Sequence, residues 1–159
     1  MVPASSLWTV FGTSILPIIE LKGAIPLGLG LGVPFWATYF IALLGSCLPA
    51  PFIVFFIEKI IRWMQGSKVK LFNRFANWLM GKVDKHKGKI EKYGYLGVFI
   101  FVAIPLPGTG VWTGSLIASV LGLKPAKAIP LVILGNCVAG FIMLMLSSIF
   151  FPVSYTHLR

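Results

Sequence analysis

Acidic side chains are scarce in this sequence. Of its 159 residues only 4 are Asp or Glu, against 14 Lys or Arg, and charged residues make up 11% of the chain. A soluble domain carries about 25% charged residues, so this composition excludes an ordinary soluble globular protein. Since 57% of the residues are hydrophobic and the mean hydropathy is +0.91, we expect an integral membrane protein.

Recognisable catalytic and metal-binding patterns are also missing. Cys47 and Cys137 lie in apolar runs without a CxxC pair, and both read as small buried hydrophobes. The sequence contains no nucleophile–base pair and no paired carboxylates in one motif. The glycine-rich run at 28–32 lacks the strand context and the lysine of a nucleotide-binding loop. We therefore expect no enzyme activity, no cofactor and no bound metal.

The basic residues are concentrated in one hydrophilic segment. Ten of the 14 Lys and Arg residues fall in a linker predicted at about 58–93. The positive-inside rule places such a segment in the cytoplasm, so we expect the chain in the plasma membrane of a prokaryote with this loop inside the cell. Beside spanning segments, a basic block is expected to meet anionic lipid headgroups rather than nucleic acid.

Apolar residues recur at helical spacing within this linker, namely Leu71, Phe75, Trp78 and Leu79. Lys70 and Arg74 fall largely elsewhere on the helical wheel. A basic amphipathic helix that carries a tryptophan lies naturally in the headgroup plane. The pattern therefore predicts a lipid-surface site at Lys70, Arg74 and Trp78 that serves attachment.

One acidic residue, Glu20, lies in an apolar stretch. It falls within 16–32, and Lys22 stands two positions later. A charged, glycine-rich segment at membrane depth is tolerated only where it is buried in protein or lines a wet cavity. Two interpretations stay open. Glu20 is a proton or cation site, in which desolvation favours the neutral form, or it is a structural partner that pairs with Lys22 or caps free helix N–H groups.

The apolar stretch before Glu20 is short. Leu7–Ile19 cannot cross a hydrocarbon core of about 30 Å at about 1.5 Å per residue. We therefore predict a re-entrant hairpin that turns over Glu20–Pro26, with Pro26 at its tip, and returns through Leu27–Val33. The alternative is a poor, glycine-rich spanning helix that continues through Glu20. Pro34–Ile57 is long enough to span the membrane.

The second half repeats this order. An apolar limb at Leu96–Ile104 leads to a second predicted tip, formed by Pro105, Pro107, Gly108, Thr109 and Gly110. Glycine and threonine there offer backbone N–H and hydroxyl groups to an anion, or simply make a tight turn. Val111–Leu123 returns, with Trp112 read as a packing residue, and Pro130–Phe151 spans.

Three short matches relate the halves: AIPL at 24–27 and 103–106, LGLGVP at 29–34 with LGLKP at 121–125, and LGSC at 44–47 with LGNC at 134–137. Each hairpin crosses the membrane zero times and each spanning helix once, so the two hairpins enter from opposite faces. We predict an all-α membrane fold: an inverted repeat of re-entrant hairpin plus transmembrane helix, a plan found among secondary transporters, joined by the amphipathic cytoplasmic helix.

The predicted organisation is a single membrane domain over 1–151. Repeat 1 covers about 7–57, the basic linker about 58–93, and repeat 2 about 94–151. The tail at 152–159, PVSYTHLR, changes character abruptly and reads as foreign to the fold.

Two stretches, LPIIELKGAIPLG at 16–28 and FVAIPLPGTGVWTGSLIASVLGL at 101–123, resemble the small multidrug export protein family, which resembles a short branch of the DedA/VTT membrane superfamily. This resemblance implies paired re-entrant hairpins and a role in transport or lipid translocation. Glu20 would match the acidic group that the superfamily places in its first hairpin. The arginines of its second hairpin have no counterpart, because 105–123 contains no ionisable residue.

We therefore expect a small proton-coupled transporter or lipid-translocating protein, with Glu20 and Lys22 as its transport or proton site. Its substrate would be a small molecule or a lipid phosphate. Two spanning helices and two hairpins seal a pathway poorly, so we expect a homodimer. The alternative is a non-transporting membrane scaffold whose hairpins only pack. A wet cavity that reaches Glu20 favours transport, and a dry, sealed core favours the scaffold.

Overall fold

The computed structural model describes residues 3–85, 88 and 90–150. Over these residues the chain forms eight α-helices and one π-helical turn, with no strand. The predicted all-helical class is therefore confirmed for this part of the chain. The tail at 152–159 lies outside the described residues.

The first half contains four helices: α1 (Ala4–Ile15), α2 (Glu20–Gly30), α3 (Phe35–Cys47) and α4 (Pro49–Gln65). Leu48 keeps helical dihedral angles of −58° and −40°, so α3 and α4 follow one another as a single long rod. The hydrogen-bond ladder is interrupted there because Pro49 and Pro51 have no N–H to donate. With 31 residues, Phe35–Gln65 is long and apolar enough to span a membrane.

The second half contains α5 (Lys70–Lys85), a π-helical turn (Ile90–Gly94), α6 (Tyr95–Ala103), α7 (Val111–Val120) and α8 (Pro125–Phe150). With 26 residues, α8 is the second helix that is long and apolar enough to span a membrane among the described residues.

Both long helices differ from their predicted bounds. The first continues eight residues past Ile57, since Glu58 and Arg62 form an ion pair one helical turn apart and no breaker occurs before Gly66. The second begins at Pro125 rather than Pro130. A proline fits the first helical position without losing a hydrogen bond, and Pro130 is accommodated inside the helix.

The two halves end their second short helix in the same way. Gly32 and Gly122 have φ of +75° and +65°. The N–H of the next residue bonds back to Gly28 in one half, at 2.9 Å, and to Ala118 in the other, at 3.0 Å. This is the Schellman motif, in which glycine takes the left-handed position without steric cost.

These features show that each residue of the first half corresponds to the residue 90 positions later in the second half. The LGSC and LGNC segments, at 44–47 and 134–137, have this same spacing. The predicted pairing of Leu29 with Leu121 is wrong by two residues, because the structure matches Leu31 with Leu121.

Each half contains a pair of short antiparallel helices. A Cβ added at Gly28 would meet Val10, and one added at Gly114 would meet Val102, so α1 lies along α2 and α6 lies along α7. Helices of 9–12 residues are about 14–18 Å long. None of the four is as long as a hydrocarbon core of about 30 Å.

The predicted tip at Pro26 is wrong. The first turn consists of residues 16–19, α2 already begins at Glu20, and Pro26 lies inside that helix. Because Pro26 has no N–H, the carbonyl of Lys22 lacks its usual hydrogen bond within the helix. A helix that is packed against its neighbours tolerates this loss. The AIPL match fails for the same reason, since Pro105 lies in the loop between α6 and α7.

The long helices cross from one half to the other. One apolar cluster joins the first hairpin to the far end of α8 through Leu144. A second cluster joins the other hairpin to α4 through Ala50. Each long helix therefore starts in its own half and ends against the hairpin of the other half.

Two glycines, Gly45 and Gly135, allow the long helices to pack closely against α1 and α6, the first helices of the two hairpins. A Cβ at Gly45 would come within 2.7 Å of the Phe11 carbonyl oxygen, and a Cβ at Gly135 within 2.8 Å of the Phe99 carbonyl oxygen. Backbone oxygens cannot rotate away as a flexible side chain can. Only glycine therefore fits at positions 45 and 135 at this helix separation.

We predict that Gly45→Ala and Gly135→Ala each destabilise the protein by about 1–3 kcal/mol, because the helices must separate to admit the methyl group. Gly12→Ala is the control, since nothing lies within 4 Å of the added atom. The measurement is thermal melting of each purified variant in detergent. Equal melting temperatures for Gly45→Ala and Gly12→Ala would show that the close approach is not there.

Candidate functional site: the hairpin turns meet

The turn of one hairpin meets the turn of the other through a few buried residues, Glu20 and Gly110 among them, while most of both turns is exposed. The first turn leads into α2 at Glu20, and the second leads into α7 after Gly110. Four side chains form the contact, and we call them the tip cluster: Glu20, Lys22, Thr109 and Trp112.

Glu20 is held in an unusual backbone conformation. Its φ is +48°, and among the described residues it is the one non-glycine residue with a positive φ. Such a conformation costs about 1–2 kcal/mol for an L-residue and persists where the surroundings enforce it. The residue is 5% exposed, so its carboxylate is buried in the protein.

Gly110 provides the room that the carboxylate occupies. Its φ of +136° is open to glycine, and a Cβ built on it would overlap the carboxylate of Glu20. The two residues are 90 positions apart, so equivalent positions of the two halves touch one another.

The carboxylate of Glu20 caps the start of α7. Its Oε1 accepts the backbone N–H of Trp112 at 3.2 Å. N–H groups of a first helical turn have no partner within the helix, and the positive end of the helix dipole favours a negative charge there. The predicted anion site at the second tip is therefore occupied by the chain's own carboxylate.

Lys22 ties α2 to the loop before α7. Its Nζ donates to the Leu106 carbonyl at 2.7 Å, to the Thr109 hydroxyl at 2.8 Å and to the Thr109 carbonyl. The Oε2 of Glu20 is farther away, at 3.9 Å. The ammonium group of Lys22 thus hydrogen-bonds to the loop, and it interacts with the charge of Glu20 at longer range.

Trp112 makes the reciprocal contact. Its indole N–H donates to the carbonyl of Ile15, the last residue of α1, at 3.0 Å. Lys22 and Trp112 are 90 positions apart, so the same helical position in each half binds backbone oxygen of the opposite hairpin. The interpretation of Trp112 as a packing residue missed this role. Alignment of the halves at 90 residues would have paired it with Lys22.

The remaining predicted tip residues lie in the loop at 104–110. Pro105, Pro107 and Gly108 shape it, and Gly108 has a φ of +85°. The hydroxyl of Thr109 also lies 2.7 Å from the carbonyls of Ile104 and Leu106. The loop therefore presents carbonyl oxygen to Lys22 and holds its own shape through Thr109.

A second polar contact joins the long helices. Asn136 on α8 donates its amide to the hydroxyl of Ser46 on α3 at 2.7 Å, and these positions are also 90 residues apart. Tyr39 donates its hydroxyl to the carbonyl of Cys137 at 3.0 Å. Cys47 and Cys137 are free and partly buried, and the described residues contain no cluster of metal ligands.

The predicted lipid-surface residues lie on α5. Lys70, Arg74 and Trp78 are exposed there, and the rings of Phe75 and Trp78 stack with centroids 6.1 Å apart. Ala76 is buried against the rest of the protein. The side chain of Leu79, assigned to the same apolar face, lies outside the described part of the structure.

Comparison with known proteins identifies a family. Residues 20–142 match the model of a family described as "Putative small multi-drug export protein". The chain belongs to this family. The match begins at Glu20 and includes the whole tip cluster, and it indicates a transporter-like role in a membrane. No curated protein and no solved structure matches the chain, and the wider DedA/VTT resemblance stays an expectation.

We predict that Lys22→Met destabilises the fold, because it preserves the length of the side chain but leaves the loop carbonyls without a donor and Glu20 without its neighbouring positive charge. The expected cost is about 1–3 kcal/mol. Lys127→Met is the control, since that lysine is exposed on α8. Thermal melting in detergent compares the two, and an equal effect of both substitutions would contradict the assigned role of Lys22.

Proposed function

We propose that the protein is a proton-coupled exporter of small molecules or lipid phosphates, with Glu20 as its proton site. The observation that carries this proposal is the burial of a carboxylate at the point where the two hairpins meet. A buried carboxylate is costly unless it is paired or protonated. Here its direct donor is one backbone N–H, and its cationic neighbour is engaged elsewhere.

In this proposal the two hairpins are re-entrant and enter from opposite faces as an inverted repeat. Their short helices, the correspondence at 90 residues and the crossing of the long helices support that arrangement. The tip cluster then lies near the midplane, where transporters of this plan place their coupling sites.

Protonation of Glu20 would loosen the contact between the hairpins. The carboxylate accepts the Trp112 N–H and attracts Lys22, and both interactions are weaker when the group is neutral. Binding and release of a proton would thus shift the equilibrium between closed and separated turns. A substrate that binds one of these states better is coupled to the proton.

The exposed face of α5 supports the proposed orientation and lipid contact. Leu71, Phe75 and Trp78 would enter the boundary between headgroups and acyl chains, while Lys70 and Arg74 meet anionic headgroups. In this proposal α5 lies on the cytoplasmic surface of a prokaryotic plasma membrane. A homodimer would complete the seal around the pathway.

We predict that Glu20→Gln inserts and folds but loses pH-dependent transport, because the amide keeps the shape and cannot ionise. Glu20→Asp retains part of the activity with a shifted pH optimum. The measurement is proton-driven transport of drug cations and lipid phosphates in liposomes, beside detergent melting of each variant.

The scaffold alternative gives the opposite pattern. If the hairpins only pack, Glu20→Gln leaves function unchanged and Glu20→Ala lowers expression or melting temperature. A Glu20→Gln protein that transports with an unaltered pH profile ends the proton-site proposal.

A further inference from the structure

A cavity of about 350 Å³ opens beside α4, α5 and the turn that joins α7 to α8. Its rim carries charged residues, Glu58, Arg62 and Lys124, of which Glu58 and Arg62 form an ion pair. Its inner wall includes Val54, Ser119 and Leu123, which are buried. The cavity therefore leads from a charged surface to a serine in the interior.

Ser119 is a polar residue in the inner wall of the cavity. Its hydroxyl lies 2.8 Å from the carbonyl of Ser115 and 3.3 Å from the carbonyl of Val54. The second distance places this face of α7 against α4. The Ser119 hydroxyl donates its proton to one of these carbonyls. Its oxygen can still accept a hydrogen bond from a water in the cavity.

Ser115 lies one helical turn deeper on the same face of α7. Its side chain is 0% exposed, and its hydroxyl has no hydrogen-bond partner among the described residues. Buried hydroxyl groups are normally satisfied by protein or by water, since an unpaired one costs free energy. A buried hydroxyl without a protein partner is the kind of group that an internal water satisfies.

The same helix continues to the carboxylate. Trp112, whose N–H binds Glu20, precedes Ser115 by three residues, and the distance along the axis from Trp112 to Ser119 is about 10 Å. Residues three and four apart share one face of a helix. Ser119 and Ser115 therefore lie on one face of α7, between the cavity and the end of the helix where Glu20 binds.

We propose that this cavity is the aqueous entrance to Glu20 from the side of the protein that carries α5. Water bound at Ser119 and Ser115 carries protons along the interface of α4 and α7. The inference rests on the proposed function of Glu20, and it identifies the route by which that group exchanges protons.

The direct test is the reactivity of single cysteines in the full-length protein in liposomes. Cys47→Ser and Cys137→Ser remove the native thiols, and Ser119→Cys, Ser115→Cys or Val102→Cys is then added. The probe is 2-aminoethyl methanethiosulfonate. Val102 is the matched control, because it is also 0% exposed and belongs to the apolar cluster of the second hairpin, but it lies on α6.

We expect Ser119→Cys and Ser115→Cys to react at similar rates. Val102→Cys should react at least about tenfold more slowly, because its modification waits for local opening of the packed helices. A Ser115→Cys rate as low as that of Val102→Cys would overturn the proposal, since the interface is then dry. This measurement needs no transport, so it stays informative if Glu20→Gln disproves the proton site.

A second pair of variants covers the case in which the cysteine disturbs the fold. Ser115→Val has nearly the volume of Ser115→Thr but no hydroxyl, and it should slow proton-driven transport severalfold relative to Ser115→Thr at an equal melting temperature. Ser115→Thr keeps the hydroxyl and should retain the rate. Ser148→Val, on α8, controls for a branched residue within a helix. Equal rates for Ser115→Val and Ser115→Thr would overturn the route.

Discussion

The fold depends on how two broken helical hairpins satisfy their free backbone groups. A helix that stops inside a protein leaves carbonyls at its end, and one that starts there leaves N–H groups. In this chain the partners come from the opposite hairpin: Lys22 donates to the loop before α7, Trp112 donates to the end of α1, and Glu20 accepts at the start of α7. Neither turn is complete alone.

The long helices have the geometry that this contact requires. Each begins beside its own hairpin and ends against the other, and the two are joined by Asn136 and Ser46. Glycines at 45 and 135 allow close packing against α1 and α6. Equivalent positions meet twice, at Glu20 with Gly110 and at Ser46 with Asn136. Two charges, on Glu20 and Lys22, are thus placed asymmetrically in an otherwise repeated framework, because the equivalent positions 110 and 112 are Gly and Trp.

Length and composition were sufficient to predict the membrane class and the four-part order of short and long helices. Hydrophobic run length reports directly on what a helix can span. The placement of Pro26 failed because proline is both a turn residue and a tolerated interruption of a packed helix, and the sequence does not distinguish the two.

The contacts of the tip cluster could be predicted only in part. Lys22 and Glu20 were identified by their charge, but the acceptors of Lys22 and Trp112 are mainly backbone carbonyls, which every residue carries. The positive φ of Glu20 was also invisible, because glycine and not glutamate signals that conformation. The orphan hydroxyl of Ser115 follows from tertiary packing, and no local pattern marks it.

The contact between the hairpin turns can be measured most directly by a double-mutant cycle at two positions that are 90 residues apart. Gly110→Ala brings a methyl group into the carboxylate of Glu20, whereas Gly108→Ala adds one at a similarly positive φ in open space. In a Glu20→Ala background the overlap at Gly110 is gone and only backbone strain is left.

If the turns meet, the melting-temperature loss of Gly110→Ala shrinks markedly when Glu20 is alanine, while the loss of Gly108→Ala is the same in both backgrounds. Additive losses at positions 20 and 110 would mean that the two residues do not touch. That result would contradict the meeting of the hairpin turns.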